Sequence, residues 1–307
     1  MPDKPFTTRP TTEADLPAIA SLVRELNIRA GSSLGQEEER LRVDWNNPKL
    51  DPAKHTLLAE VNGEIAGFGF VFMEPPQATT SGFTTADQRG KGIGTELLNF
   101  AVDTASRGGN DELLAWTPSA ETESIQLLKN NGFDHVRSFF QMVHPSPGEI
   151  AEPTLPANIK VESIGGEDRL WMAKKAHDDS FIDHWNFRPI PEDQIAHWFN
   201  SDPNNGELWF IATEGAELAG LCLCRLSPDE NDQPRGNVSI LGTTRPYRGI
   251  GLGRALLEYG IWQLASREAH EVTLGVDAEN PTGALGLYER TGFKVRSESR
   301  SYRLPLR

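Results

Sequence analysis

Two stretches of the chain carry the same helical stripe. Leu97, Leu98, Ala101, Val102 and Ala105 recur at i, i+1, i+4, i+5 and i+8, and so do Leu256, Leu257, Gly260, Ile261 and Leu264. That spacing puts each set on one side of a 3.6-residue helix, so each segment predicts a helix with one buried face. Upstream of each stripe lie two apolar runs around a glycine turn. They are His55–Val61 and Ile65–Phe72 in the first half, and Leu208–Thr213 and Leu218–Leu226 in the second; both pairs predict hairpin strands. An acidic start before apolar residues predicts an earlier helix over Thr12–Leu26 and again over Glu167–Ala176. In each half a third strand leads into a glycine-rich loop and then the striped helix. A strand (Leu113–Trp116; Val272–Val276), a second helix ending at a Gly-Phe pair, and a last strand follow.

The two halves are one pattern written twice. Arg89-Gly-Lys-Gly-Ile-Gly94 aligns with Arg248-Gly-Ile-Gly-Leu-Gly253 at an offset of 159, and the Leu-Leu pairs follow at the same offset. Asn131-Gly-Phe133 matches Thr291-Gly-Phe293 at 160, and Asn62–Gly67 resembles Gly215–Gly220 at 153. Three blocks in one order indicate a duplicated domain; two long copies are too few for a solenoid. His144–Pro156 holds four prolines and few large apolar residues, which reads as an extended linker. The expected division is an N-terminal domain over 1–145, a linker over 146–156, and a C-terminal domain over 157–307.

Composition removes several function classes. The 307 residues carry 30 basic and 44 acidic side chains, 30 − 44 = −14. Residues 1–150 hold 13 and 21 of these, net −8, and residues 151–307 hold 17 and 23, net −6. Neither half is built to neutralise phosphates, so nucleic acid is not an expected partner. No stretch approaches the ~18–20 unbroken apolar residues of a membrane span. Met1–Arg9 has no apolar core, so a secretory leader is not expected. The only cysteines, Cys222 and Cys224, are two apart; they make a poor disulfide or metal framework and suit a reducing, cytoplasmic setting. The histidines form no metal-binding spacing, so no metal is expected.

The chemistry gathers at the glycine-rich loops. Glycines let backbone turn tightly and approach a ligand, and the N–H groups that open a helix favour an anion, most readily a phosphate. Arg89 and Arg248 stand where a guanidinium could add charge-assisted bonds. A GxxxxGK[ST] phosphate loop is absent, and the spacing GxGxG is one residue short of the GxGxxG dinucleotide fingerprint. A bare turn with no ligand, and an oxidoreductase using Asp277 as a ribose ligand, remain as alternatives at this point.

Tyr247-Arg-Gly-Ile-Gly-Leu-Gly253, followed by Asn280-Pro-Thr-Gly-Ala-Leu-Gly-Leu-Tyr-Glu-Arg-Thr-Gly-Phe293, resembles the signature of the GCN5-related N-acetyltransferases (GNAT), and the resemblance covers both halves. It implies an α/β fold with an α+β mixed sheet: two tandem domains, each a splayed sheet flanked by helices. It implies acetyl-CoA as co-substrate and a small-molecule primary amine as acceptor, attacked directly in a ternary complex, in a monomer or homodimer. The amides of Arg248, Gly249, Ile250, Gly251, Leu252, Gly253 and Arg254 would cradle the pyrophosphate. Backbone of Leu241 and Thr243 would pair with pantetheine and the acetyl carbonyl, with a β-bulge at Gly242. Asn280 would lie beside the cofactor. Tyr288, about two turns into a helix beginning near Pro281, would protonate the leaving thiolate.

The halves are unequal. At offset 160 the first carries Ala120 opposite Asn280 and Leu128 opposite Tyr288, so it retains Arg89, Gly90, Lys91, Gly92, Ile93 and Gly94 without the proton donor. It reads as a degenerate, at most cofactor-binding domain. The family's usual glutamate base is missing from the strand before the second loop, which offers Asn237 and Ser239. Asp179, Asp183 and His184 are the candidate amine-binding or proton-accepting groups, with Trp185 and Phe187 as an apolar wall. Cys222 and Cys224 read as buried strand residues. A non-catalytic acyl-CoA sensor is the competing class.

Overall fold

The computed structural model describes residues 5–31, 37–280 and 283–306. The chain forms two compact units, Met1–Phe139 with Ser297–Arg307, and Phe140–Arg296. In chain order the first elements are β1 (Thr7–Arg9), α1 (Leu16–Arg29), α2 (Glu37–Trp45), α3 (Pro52–His55), β2 (Thr56–Val61), β3 (Glu64–Glu74), β4 (Gln77–Thr84), α4 (Ile93–Arg107), β5 (Glu112–Pro118), α5 (Thr122–Asn130) and β6 (Asp134–His144). Then follow β7 (Ile159–Ser163), α6 (Leu170–Phe181), α7 (Glu192–Asn200), α8 (Asn205–Leu208), β8 (Trp209–Glu214), β9 (Glu217–Pro228), β10 (Pro234–Thr243), α9 (Leu252–Ala265), β11 (Glu271–Asp277), α10 (Ala284–Arg290) and β12 (Lys294–Pro305).

Within the first unit the strand order is β1-β2-β3-β4-β5-β12. All neighbours are antiparallel except β4 with β5. The last strand comes from the C-terminal segment, seven residues of which, Ser299–Pro305, pair with Glu112–Pro118. In the second unit the order β11-β10-β9-β8-β7 repeats the mixed pattern, with β10 and β11 parallel. Met142 and His144 of β6 join this unit, Met142 in the core beside the α9 stripe and His144 edge-on to Phe293 at 5.4 Å. The proline-rich stretch is not free chain throughout: Pro147 is buried, and Ile150 packs on the same core.

The predicted stripes are the cores. Leu256, Leu257, Ile261 and Leu264 of α9 are completely buried against β9, β10 and β11, each worth roughly 1.5–3 kcal/mol of burial. The stripe includes Gly260 because the helix lies almost on the sheet. A Cβ there would stand 2.7 Å from Cys222 Sγ and 3.0 Å from Cys224 Sγ. Sequence periodicity does not announce α2, α7 or the short edge strands β1 and β7. In α7 the residues Ile195, Trp198 and Phe199 pack against a second cluster around Ile164, Trp209 and Leu221.

Two local expectations change. The register of β10 against β9 shifts between Val238 and Ile240, so Ser239 is the bulged residue. Gly242 stays in register opposite Leu221. It is glycine for another reason: a Cβ would meet Ser180 Cβ at 2.7 Å and Leu221 Cδ2 at 2.9 Å. Helix α10 begins at Ala284, so Tyr288 stands one turn in. Pro281 and Thr282, where the sequence placed its start, lie outside the described residues, as do residues 1–4.

Candidate active site

The second unit opens where two parallel strands part. Ladder pairs run from Arg235↔Glu271 to Val238↔Leu274. Beyond them β10 continues to Thr243 and β11 to Asp277 without further registered pairs. Asn237 fastens the fork: its Nδ2 donates to Thr273 O at 3.2 Å and Thr273 Oγ1 at 3.0 Å. Its Oδ1 accepts from Ser239 Oγ at 2.7 Å. These two polar residues are tied to each other and to β11, which accounts for them as structure.

Past the fork, β10 leads to the glycine-rich loop. Gly249 has φ +79° and Gly251, the N-cap of α9, has φ +86°. Neither would crowd a Cβ; both are glycine because the backbone is left-handed there. Gly253 is different. Its φ is ordinary, and a Cβ would meet only Thr243 Cγ2 at 3.7 Å and Leu287 Cδ2 at 4.0 Å. No neighbour in this protein demands that glycine, which leaves room for something else to approach. The first N–H groups of α9 lack intrahelical acceptors, as at every helix start.

Arg248 sits at the head of the loop with its bonds already made. Nη1 donates to Asp183 Oδ2 at 2.7 Å, Nη2 to Ser180 O at 2.8 Å, and Nε to Thr243 O at 3.2 Å. Arg245 also donates to Asp183, from Nε at 3.0 Å to Oδ2 and from Nη2 to Oδ1. These hydrogen bonds hold the Asp183 carboxyl well below the usual carboxylate range. A carboxylate engaged by two guanidiniums is a poor proton acceptor. The sequence offers Asp183 as an amine-binding or proton-accepting group; in the structure its carboxylate joins the end of α6 to the loop through these two arginines. Asp179 is likewise paired, with Lys175 Nζ at 2.6 Å.

His184 follows in the same turn and is half-buried. Its ring lies 4.4 Å from Phe181, which stacks on His177 at 4.7 Å. Burial, then the nearby Arg248 charge, lowers its pKa from the ordinary 6.5. It is thus neutral at neutral pH, with a nitrogen able to take a proton. Arg245 and Ser180 had no signal in the sequence, since a lone arginine and serine outside a motif look like solvated surface.

Tyr288 projects from α10 into the core that holds the fork, 7% exposed and 6.0 Å from the Phe293 ring. Burial pushes its phenol up to about 12, so it holds its proton. Cys222 and Cys224 are buried, with Sγ atoms 3.6 Å apart. The Cys222 hydrogen bond and burial raise the Cys224 thiol well above its ordinary value, which makes it inert. Among the described residues no cluster of three or more metal-ligating side chains forms, and no helix is long and apolar enough to cross a membrane.

The first unit repeats the scaffold with different side chains. Its ladder between β4 and β5 stops at Thr80↔Ala115, and Gly90 and Gly92 have φ +73° and +92°. Leu128 fills the place of Tyr288, buried in an apolar cluster with Phe133 and Tyr302. Arg89 donates to Glu121 Oε2 at 2.7 Å and Glu123 Oε2 at 3.2 Å, and Arg29 donates to Glu121 Oε1 at 2.8 Å. Burial alone would raise the Glu121 carboxyl; the two arginines overcome it and hold it low. Lys91 Nζ donates to Gln88 at 3.0 Å.

A model of the Acetyltransferase (GNAT) family matches residues 19–133 and again 170–293. The mycothiol acetyltransferase of Thermobispora bispora is 28% identical over 295 residues, covering 92% of this chain and 93% of its own. That of Catenulispora acidiphila is 29% identical over 314 residues, covering 96% and 97%. The crystal structure of a GCN5-related N-acetyltransferase from Sphaerobacter thermophilus is 26% identical and superposes with a TM-score of 0.79 over 100% of this chain and 97% of that one.

Proposed function

The chain belongs to the GNAT acetyltransferase family, and we propose that its second unit moves an acetyl group from acetyl-CoA to the primary amine of a small molecule. The observation that carries this is the parting of β10 and β11 directly before a left-handed glycine loop and the start of α9. The residues fit the cofactor. Amides from Arg248 to Arg254 and the positive end of α9 suit a pyrophosphate, and the dispensable third glycine, Gly253, leaves room for it. Leu241, Gly242 and Thr243, on the unpaired edge of β10, would hold pantetheine through backbone groups, with Asn280 beside it. When bound, acetyl-CoA supplies the acetyl group as an activated thioester.

The chain's own residues then divide the work. His184 takes the proton of the incoming ammonium, since an amine of pKa ~10 must be neutral to attack. Tyr288 donates a hydrogen bond to the departing sulfur. A phenol at about 12 stays protonated beside a thiolate whose conjugate acid lies at ~8–9, so its part is to stabilise developing charge rather than surrender the proton. Asp183 positions Arg245 and Arg248. The first unit, with Leu128 and a neutralised Arg89, serves as at most a cofactor-binding support. The mycothiol acetyltransferase relatives make a mycothiol-related amine the first acceptor to test. Thiol release from acetyl-CoA across an amine panel tests the reading: amine-dependent release supports it, and cofactor binding without release would favour a sensor.

A further inference from the structure

In the second unit, Ser180 Oγ, both ends of the Gln194 carboxamide and His197 Nε2 are buried side-chain atoms without a hydrogen-bond partner. All belong to α6 and α7. A buried hydroxyl or amide left unpaired costs the fold free energy and is ordinarily satisfied. Of these groups Ser180 has its place fixed most closely. It is 3% exposed, on the last turn of α6. Its carbonyl accepts from Arg248 Nη2, and its Oγ stands 3.0 Å from where a Cβ on Gly242 would be. Gly242 lies on the stretch of β10 beyond the last β10–β11 pair. A hydroxyl with no partner is thus held against the face of β10 at the stretch beyond the last β10–β11 pair, and the absence of a side chain at 242 is what lets it come so close.

We propose that the Ser180 hydroxyl is a further catalytic group, donating a hydrogen bond to the thioester carbonyl oxygen of the acyl donor. This rests on the reading of the fork as the acetyl-CoA site. The carbonyl oxygen gains negative charge as the amine attacks, so a donor already held in place and already desolvated strengthens its bond in the transition state at little reorganisation cost. The hydroxyl transfers no proton. The arrangement also explains why an unsatisfied group persists: stability is given up at a position that function requires.

Ser180→Ala tests this with three readouts. The ligand-free variant should melt at or above the wild-type temperature, because it loses a buried group that had no partner. Calorimetry with acetyl-CoA and with CoA should show weaker acetyl-CoA binding, by about three- to tenfold, and unchanged CoA binding, since only the former has the carbonyl. Turnover should fall by at least about tenfold. Equal loss for both ligands, or a lower melting temperature with wild-type binding and turnover, would make Ser180 structural and overturn the proposal. Wild-type protein that binds neither ligand would remove the reading of the fork itself, and this inference with it.

Discussion

Asp183 Oδ2 accepts a hydrogen bond from Arg248 Nη1 at 2.7 Å, so the turn after α6 grips the first residue of the glycine-rich loop. The same carboxylate holds Arg245. Two candidate functions met at this position, base and anchor, and they differ in what a neutral replacement does. Asp183→Asn keeps the shape and removes the charge. As an anchor it should raise the acetyl-CoA Kd a few-fold and leave kcat at saturation within about threefold. A fall of ~10²–10⁴ in kcat, the usual contribution of a proton acceptor, would restore Asp183 as the base. The sign with pH follows from its lowered carboxyl. The stabilisation it contributes is complete above the ordinary carboxylate range and is lost only as pH falls through the lower folded value. The clamp therefore persists through weakly acidic buffers.

His184 should govern the acidic limb of the rate profile. A base must be unprotonated, and burial holds this imidazole below its ordinary 6.5. The kcat of the wild type should stay level down to pH 6.5 and decline only below it. His184→Gln should lower kcat by ~10²-fold or more and flatten that limb. A variant with the same limb would assign the proton to another group.

Tyr288→Phe removes one oxygen from a position 7% exposed, so the fold and CoA binding should hold within experimental error. Turnover should fall by ~10²-fold, the usual loss for one donor at a site of developing charge. Because the phenol sits at about 12, wild-type activity should show no basic limb from this residue below pH 11. A variant with full turnover would make the tyrosine a packing residue.

Gly260→Ala probes the scaffold alone. The new Cβ would stand 2.7 Å from the Sγ of the fully buried Cys222. Overpacking of this kind costs about 1–3 kcal/mol, measurable as a lower urea midpoint with unchanged slope. Unchanged stability would mean that α9 and β9 are less closely apposed than described.

Much of this was legible from residues alone. The α9 stripe and the repeated loop follow from periodicity and spacing, which local physics sets directly, so the hairpins and the helix after the loop emerged in the correct order, while the parallel pairing of β10 with β11 had no such signal. Tyr288 stood out because its motif names it, although the sequence placed it two turns into its helix and the structure places it one turn in. The misses share a cause: they depend on partners distant in sequence. Asp183 reads as a free carboxylate until Arg245 and Arg248, over sixty residues away, are seen to grip it. Gly242 reads as a bulge until Ser180 is found against it. Ser180 itself carries no pattern, and its meaning lies in the hydrogen bond it does not make. The membership of residues 297–307 in the first unit depends on pairing β12 with β5, across a separation that periodicity cannot report.

The central claim is that transfer belongs to the second unit, and one paired measurement tests it most directly. Gly92→Asp and Gly251→Asp place the same charge at equivalent left-handed positions, φ +92° and +86°, and neither site would crowd the new Cβ. Amine-dependent thiol release and calorimetric CoA binding are measured for both, beside circular dichroism to show that each is folded. The account predicts that the Gly251 variant loses transfer and its CoA site, while the Gly92 variant keeps transfer near the wild-type rate. Loss of transfer in the Gly92 variant, with transfer preserved in the Gly251 variant, would contradict it.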